Sequence, residues 1–336
     1  MLRIRLIGII SLIVLAILIT TGVWGQSDVT PTPAPSKTAA LETTPIAENT
    51  AEAEVTPVIG AFEPFTQTNL SVLTGNVQRP NGIQWFDDFL YTACTGDWTL
   101  YRLESSTGET ITYSYGVRSA HTLYVENTSG GIALWIPDYD LDMIVRINRQ
   151  SSPVPVAENI PKPWGIAYLD EDSFLVTSIT ENAIYQVNRD GSSDVLLDGF
   201  RSPAGIVVTD EHVFVVNNGS SRRSIEWLDK ASLVAKEPTE PQPLLSGVQN
   251  ATNLVLAEDG YLYFTYALGT RGLVGRVDPT VCMENGGCSN DEFQIVIYTE
   301  LAAPLAGLTI SDDMRLFVHT IYRPEIYWVD LNELNG

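Results

Sequence analysis

The chain has 336 residues, enough for one large domain or two modest ones with a sizeable core. Apolar residues make up 44% and charged residues 18%, so the bulk is globular rather than disordered. Lys and Arg number 19 against 41 Asp and Glu, a net charge of −22; such a chain repels phosphate backbones, and no nucleic-acid partner is expected.

At the N-terminus Arg3 and Arg5 precede an uncharged stretch from Leu6 to Trp24. As a helix it would span about 28 Å, close to the hydrocarbon thickness of a bilayer. Residues 1–25 are therefore expected to form a signal anchor, with membrane contact through residues 6–24; a cleaved signal peptide is the alternative. Either reading keeps the arginines in the cytoplasm and sends everything after Gln26 outside, so the expected address is extracytoplasmic, membrane-anchored or secreted. Residues 26–60 interleave Pro31, Pro33, Pro35, Pro45 and Pro57 with Thr and Ala and show no apolar period. They predict a disordered, semi-stiff linker.

From residue 61 onward the pattern is repetitive. Pro80-Asn81-Gly82-Ile83 recurs as Ala120-His121-Thr122-Leu123, Pro163-Trp164-Gly165-Ile166, Pro203-Ala204-Gly205-Ile206, Ala251-Thr252-Asn253-Leu254 and Leu305-Ala306-Gly307-Leu308. The apolar anchors stand 40, 43, 40, 48 and 54 residues apart. A second and a third short β-branched or aromatic run follow each anchor, for example Phe174-Leu175-Val176 and Ile184-Tyr185-Gln186-Val187. A fourth run fits five of the six units: Thr110–Tyr113, Val154–Ala157, Asp194–Leu197, Pro243–Leu245 and Phe293–Tyr298. The sixth unit ends before one, and a spare run, Leu70–Leu73, precedes the first. The chain over 61–336 thus predicts an all-β, six-bladed β-propeller whose last blade is completed by an N-terminal outer strand.

These units resemble the NHL-repeat and gluconolactonase-like six-bladed propellers, in which Pro-x-Gly-apolar opens each unit. The resemblance covers residues 70–336 and implies the fold; propellers of this kind include lactonases, lyases and binding modules. It further implies that inner-strand starts and second-strand ends meet on one face as a funnel. The first column reads Asn81, His121, Trp164, Ala204, Thr252 and Ala306; the second reads Cys94, Asp138, Ser178, Asn217, Tyr266 and Thr320. Asn81, His121, Asp138, Trp164, Asn217 and Tyr266 are the ligand-binding candidates, for a small molecule, a glycan or a protein partner.

Chemistry is less visible. Calcium-dependent lactonases of the gluconolactonase type place oxygen ligands in middle blades of the first column, where this chain has Trp164 and Ala204. Asn81, Asp138 and Asn217 could still form a different oxygen-rich site, so a metal-dependent hydrolase is the alternative to a binding module, and calcium enters only with it; no cofactor is otherwise expected. The spacing Asp138-x-Asp140-x-Asp142 has Met143 and Arg149 where a calcium loop needs Gly and Glu. The three histidines, His121, His212 and His319, fall on different positions of their units, against a shared zinc site. No catalytic nucleophile is recognisable. Cys282 and Cys288 flank a turn-forming run and predict a disulfide suited to an oxidising compartment, leaving Cys94 as a small apolar group.

Overall fold

The structure, a computed structural model, describes residues 63–335. The expected anchor over 1–25 and linker over 26–60 lie outside the described residues. Within those described, no helix is long and apolar enough to cross a membrane.

Six antiparallel sheets follow one another along the chain. Blade 1 runs Pro80–Phe86, Phe89–Cys94, Thr99–Glu104 and Thr110–Tyr115; blade 2 runs Tyr124–Thr128, Gly131–Asp138, Met143–Asn148 and Val154–Glu158. Blade 3 runs Pro163–Asp170, Ser173–Ser178, Ala183–Asn188 and Ser193–Leu197; blade 4 runs Pro203–Val208, His212–Asn217, Ile225–Asp229 and Gln242–Leu245. Blade 5 runs Leu254–Leu256, Leu262–Leu268, Arg271–Val277 and Gln294–Ala302. Blade 6 has Leu305–Ile310, Arg315–Thr320 and Ile326–Asp330, and its outer strand is Ser71–Thr74 from the other end of the chain. There Val72 pairs with Tyr327, so the expected strand exchange closes the ring. Closure removes the open edge that a sixth sheet of three strands would expose.

The repeated motif has a physical cause at the seams between blades. In blade 1 the Gly82 N–H donates to the Ala120 carbonyl of blade 2 at 2.8 Å, and in blade 4 Gly205 donates to the Thr252 carbonyl of blade 5 at 2.9 Å. A Cβ on Gly205 would stand 2.8 Å from that same oxygen and 2.9 Å from the Leu254 nitrogen, both rigid backbone. Glycine is required because the neighbouring inner strand passes where a side chain would begin. Where the motif lacks glycine, the side chain makes the bridge: Thr122 Oγ1 donates to the Trp164 carbonyl at 2.7 Å, and Asn253 Nδ2 to the Leu305 carbonyl at 3.0 Å. Thr177 Oγ1 donates to the Ala204 carbonyl at 2.7 Å, and Trp85 N–H to Thr309 Oγ1 at 2.9 Å across the closing seam. Every seam of the ring is therefore hydrogen-bonded next to the axis.

Four features were not foreseen. Phe65–Thr66 adds a parallel strand to the outer edge of blade 5. Two short helices, Lys230–Val234 and Pro279–Glu284, start on Asp229 and Asp278, whose carboxylates accept backbone N–H groups of the first turn. Next to the disulfide that Cys282 and Cys288 form as expected, a lone parallel bridge pairs Cys288 with Leu245 on the outer strand of blade 4. Finally, the turns joining inner to second strands carry adjacent acids in five blades: Asp87-Asp88, Glu171-Asp172, Asp210-Glu211, Glu258-Asp259 and Asp312-Asp313. Blade 2 has Ser129-Gly130 instead.

Replacing Gly205 by Ala is expected to lower the unfolding free energy by about 1–3 kcal/mol through forced displacement of the seam. Gly130→Ala, whose nearest neighbour would be 3.8 Å away, should leave it unchanged. Urea unfolding of the two variants checks this, and equal stability would refute the seam argument.

Candidate functional site

Inner strands begin and second strands end on the same face, so both expected columns reach it, but they do different work there. The second column is largely spent on backbone. Asp138 is fully buried; its Oδ2 accepts from the Arg118 N–H at 3.0 Å and its Oδ1 from Asp140 and Leu141. Asn217 Oδ1 accepts from the Arg201 N–H at 2.8 Å, while its Nδ2 donates to the buried Glu226 at 2.7 Å. Ser178 donates to the Pro161 carbonyl and Thr320 to the Ala302 carbonyl. In each case the end of a second strand clamps the loop that leads into its own inner strand. Cys94 is buried, and burial together with Asp97 pushes its thiol up to about 12, so it stays protonated. Tyr266 stands apart from this pattern: it packs against Phe264 and Phe293 inside blade 5, and burial raises its phenol to about 12.

The first column is closer to an open site. Asn81 and Ala204 are buried at the neck of the channel, and the Asn81 side-chain oxygen has no hydrogen-bond partner among the described residues. His121 and Trp164 are half-buried and stacked, with ring centroids 3.4 Å apart and planes 4° from parallel. Tyr139 meets both rings edge-on at 5.1 and 5.9 Å, and Lys162 Nζ lies 4.9 Å over the Tyr139 ring. Burial pushes His121 down to about 3, so the stack carries an uncharged imidazole.

Trp164 also forms one wall of a cavity of about 500 Å³ that extends over blades 4 to 6. Tyr322 supplies a second ring, and Asn218, Asn250, Thr252 and Thr270 supply amides and hydroxyls; Ala267, Ala302, Ala303 and Pro304 complete the apolar part. None of its lining residues is Asp, Glu, Lys, Arg or His. Of the six sequence candidates only Trp164 lines this cavity; His121 backs it. Asn81, Asp138, Asn217 and Tyr266 are not among its walls. The remaining walls come from strand ends at Ala267 and Ala302 and from loops between second and third strands and between blades, whose Ala, Gly, Asn and Thr residues carry no distinctive signal. Thr252, a member of the first column, also lines the cavity, and Tyr322 is an exposed aromatic in such a loop.

A metal-dependent reading requires free donors. Among the described residues no three His, Cys, Asp or Glu side chains are grouped to hold a metal ion. Of the expected oxygen trio, Asp138 and Asn217 accept backbone N–H groups and only the Asn81 oxygen is unengaged. The histidines are dispersed: His121 on the funnel face, His212 against Trp227 at the start of a second strand, and His319 buried in blade 6 beside the Asn81 backbone of blade 1.

No family model matches the sequence, and no curated protein matches it. Solved structures do match. A streptogramin B lyase structure superposes with a TM-score of 0.55 at 15% identity, over 77% of this chain and 96% of that one. A catalytically inactive variant of virginiamycin B lyase from Staphylococcus aureus with quinupristin gives 0.52 at 15%, over 75% and 81%. A chain of a nidogen/laminin complex gives 0.51 at 16%, over 66% and 84%. These likenesses establish the six-bladed propeller fold.

His319 generates a prediction about acid. It occupies the position that Thr177 holds in blade 3 and Thr265 in blade 5, and burial pushes it down to about 3 from 6.5. Between those pH values the unfolded chain binds a proton that the folded chain refuses, so stability falls as pH falls. His319→Thr is expected to keep more of its neutral-pH stability at pH 4 than the native chain does. Urea midpoints at pH 7 and pH 4 measure this, and equal acid losses in both proteins would count against it.

Proposed function

We propose that the chain is an extracytoplasmic, membrane-tethered binding module that holds an uncharged small molecule or glycan in the funnel-face cavity. The observation that carries this reading is the absence of any charged wall in that cavity on a chain of net charge −22. A charged ligand would have to leave water for a site with no partner of opposite sign. A neutral ligand with a flat apolar face can lie on Trp164 or Tyr322 while Asn218, Asn250 and Thr270 meet its polar groups. The volume of about 500 Å³ suits a compact ligand or a short saccharide.

Binding rather than catalysis is supported by the state of three ionisable groups in the two columns. His121 is uncharged above about pH 3, the Cys94 thiol is held protonated, and both Asp138 oxygens are already used. The fold by itself does not choose, since it is shared with a streptogramin B lyase and with a chain of a nidogen/laminin complex. The address rests on the Arg3, Arg5 and Leu6–Trp24 pattern and is supported by the Cys282–Cys288 bridge.

The full chain is expected to retain neutral members of a panel of glycans and uncharged amphipathic molecules. Trp164→Ala and Tyr322→Ala should each weaken that retention about tenfold, the loss of one stacking face. Unchanged retention by the double variant, or retention confined to charged members, would sink this reading.

A further inference from the structure

The opposite mouth of the channel holds a second cavity, of about 540 Å³, that shares no lining residue with the first. Its inner end is the ring of six repeat anchors, Ile83, Leu123, Ile166, Ile206, Leu254 and Leu308, each 3–7% exposed. These apolar side chains form a waist between the two mouths. Farther out the walls become aromatic. Tyr124 and Tyr168 are stacked with centroids 5.9 Å apart, Tyr168 is 40% exposed, and Trp85 lines the same space with an indole N–H that has no hydrogen-bond partner among the described residues.

The rim differs sharply from that of the funnel cavity. Each inner strand that lines this cavity runs, within a few residues, into the turn that follows it, and in five blades that turn carries the adjacent acids. Asp312 lines the cavity itself, is exposed, and is in no salt bridge among the described residues. Cations offset the rim at two points: Arg276 on Asp259 at 3.4 Å and Arg315 on Asp313 at 3.0 Å. Turn geometry accounts for part of this composition. Asp87 and Asp88 both have positive φ, a conformation in which Asp is tolerated. It does not account for Glu171, Glu211 and Glu258, since Glu is no turn former, and blade 2 shows that Ser-Gly serves the same connection.

We infer that this mouth is a binding site for a small organic cation, its apolar or aromatic body seated among Trp85, Tyr124 and Tyr168 and its positive charge at the acidic rim. The rings offer faces on which the body can stack, with their negative faces also favouring a cation close by, and the carboxylates supply the long-range field for the charge. A recess of about 540 Å³ suits a compact molecule better than a peptide strand laid across the face. This site is independent of the funnel reading.

The test is fluorescence titration of the full chain with ethidium, set against 8-anilinonaphthalene-1-sulfonate, an anionic dye. Ethidium is expected to bind at one site, more weakly as salt rises, with the sulfonate at least tenfold weaker. Tyr168→Ala and Asp312→Asn, both at exposed positions, should each reduce ethidium affinity about three- to tenfold, as loss of one ring face or one unit charge several ångströms away implies. Asp198→Asn, an exposed acid beyond the outer strand of blade 3, and Trp164→Ala in the funnel cavity should leave it unchanged. Equal binding of the two dyes overturns the proposal, as does indifference to both Tyr168→Ala and Asp312→Asn. So does a hexa-arginine peptide that competes equally well on the native and Tyr168→Ala chains, which would mark a peptide-binding surface instead.

Discussion

The closeness of neighbouring inner strands governs this molecule. Six sheets can be arranged round an axis only if their innermost strands approach until backbone meets backbone, and each approach needs a hydrogen bond to satisfy groups shut away from water. Gly82 and Gly205 meet this with their own N–H groups, and Thr122, Thr177 and Asn253 meet it with side chains. The variation is informative. Glycine is present where the neighbouring backbone occupies the Cβ position, and a short polar residue where there is room for one donor but not for a longer chain. The closing seam is solved differently again, by Trp85 and Thr309, because blade 6 joins blade 1 through residues far apart in sequence. Any ligand chemistry at either mouth is held in place by this ring.

The apolar anchors follow from the same geometry. Placed just after the close approach, they converge at the axis, and six branched side chains form a waist that divides the channel into two cavities of opposite character. One has aromatic and amide walls without charge; the other has aromatic walls under an acidic rim. Adjacent acids stand in the turns between inner and second strands at one end, while the walls of the funnel-face cavity carry none. The two proposed sites therefore differ in field as well as in lining, since the field at each is set mainly by the groups nearest to it.

The architecture was legible because every unit repeats one constraint, so six weak strand signals reinforce one another. Even the exchange strand near Val72 could be placed, since a three-stranded last blade and one spare strand leave a single economical closure. The site was much less legible, for a definite reason. A polar residue at the end of a second strand can either face a ligand or clamp the segment that leads into its own inner strand, and both need the same residue types. Asp138, Ser178, Asn217 and Thr320 all clamp. Tyr266 breaks that series because a large ring in the column has no backbone partner to find, and it turns into the aromatic packing of Phe264 and Phe293. Phe65–Thr66 was missed because two residues have no measurable period, and the helices because five or six residues are too few to show one.

Trp164 shows how a position of the repeat becomes a site. Its backbone carbonyl is committed to Thr122 at the seam between blades 2 and 3, so the main chain from which the indole projects is held by the ring. One face of that indole is covered by His121 at 3.4 Å, which fixes the plane, while the residue also walls the cavity on the far side of the neck. An imidazole that took up a proton here would lose solvation beside an aromatic face in a half-buried site, and burial accordingly holds it neutral down to about pH 3. The platform therefore keeps the same charge and the same orientation across the whole physiological range. A wall of fixed plane and zero charge selects by shape and apolar contact, and it is on this that the proposed binding role rests.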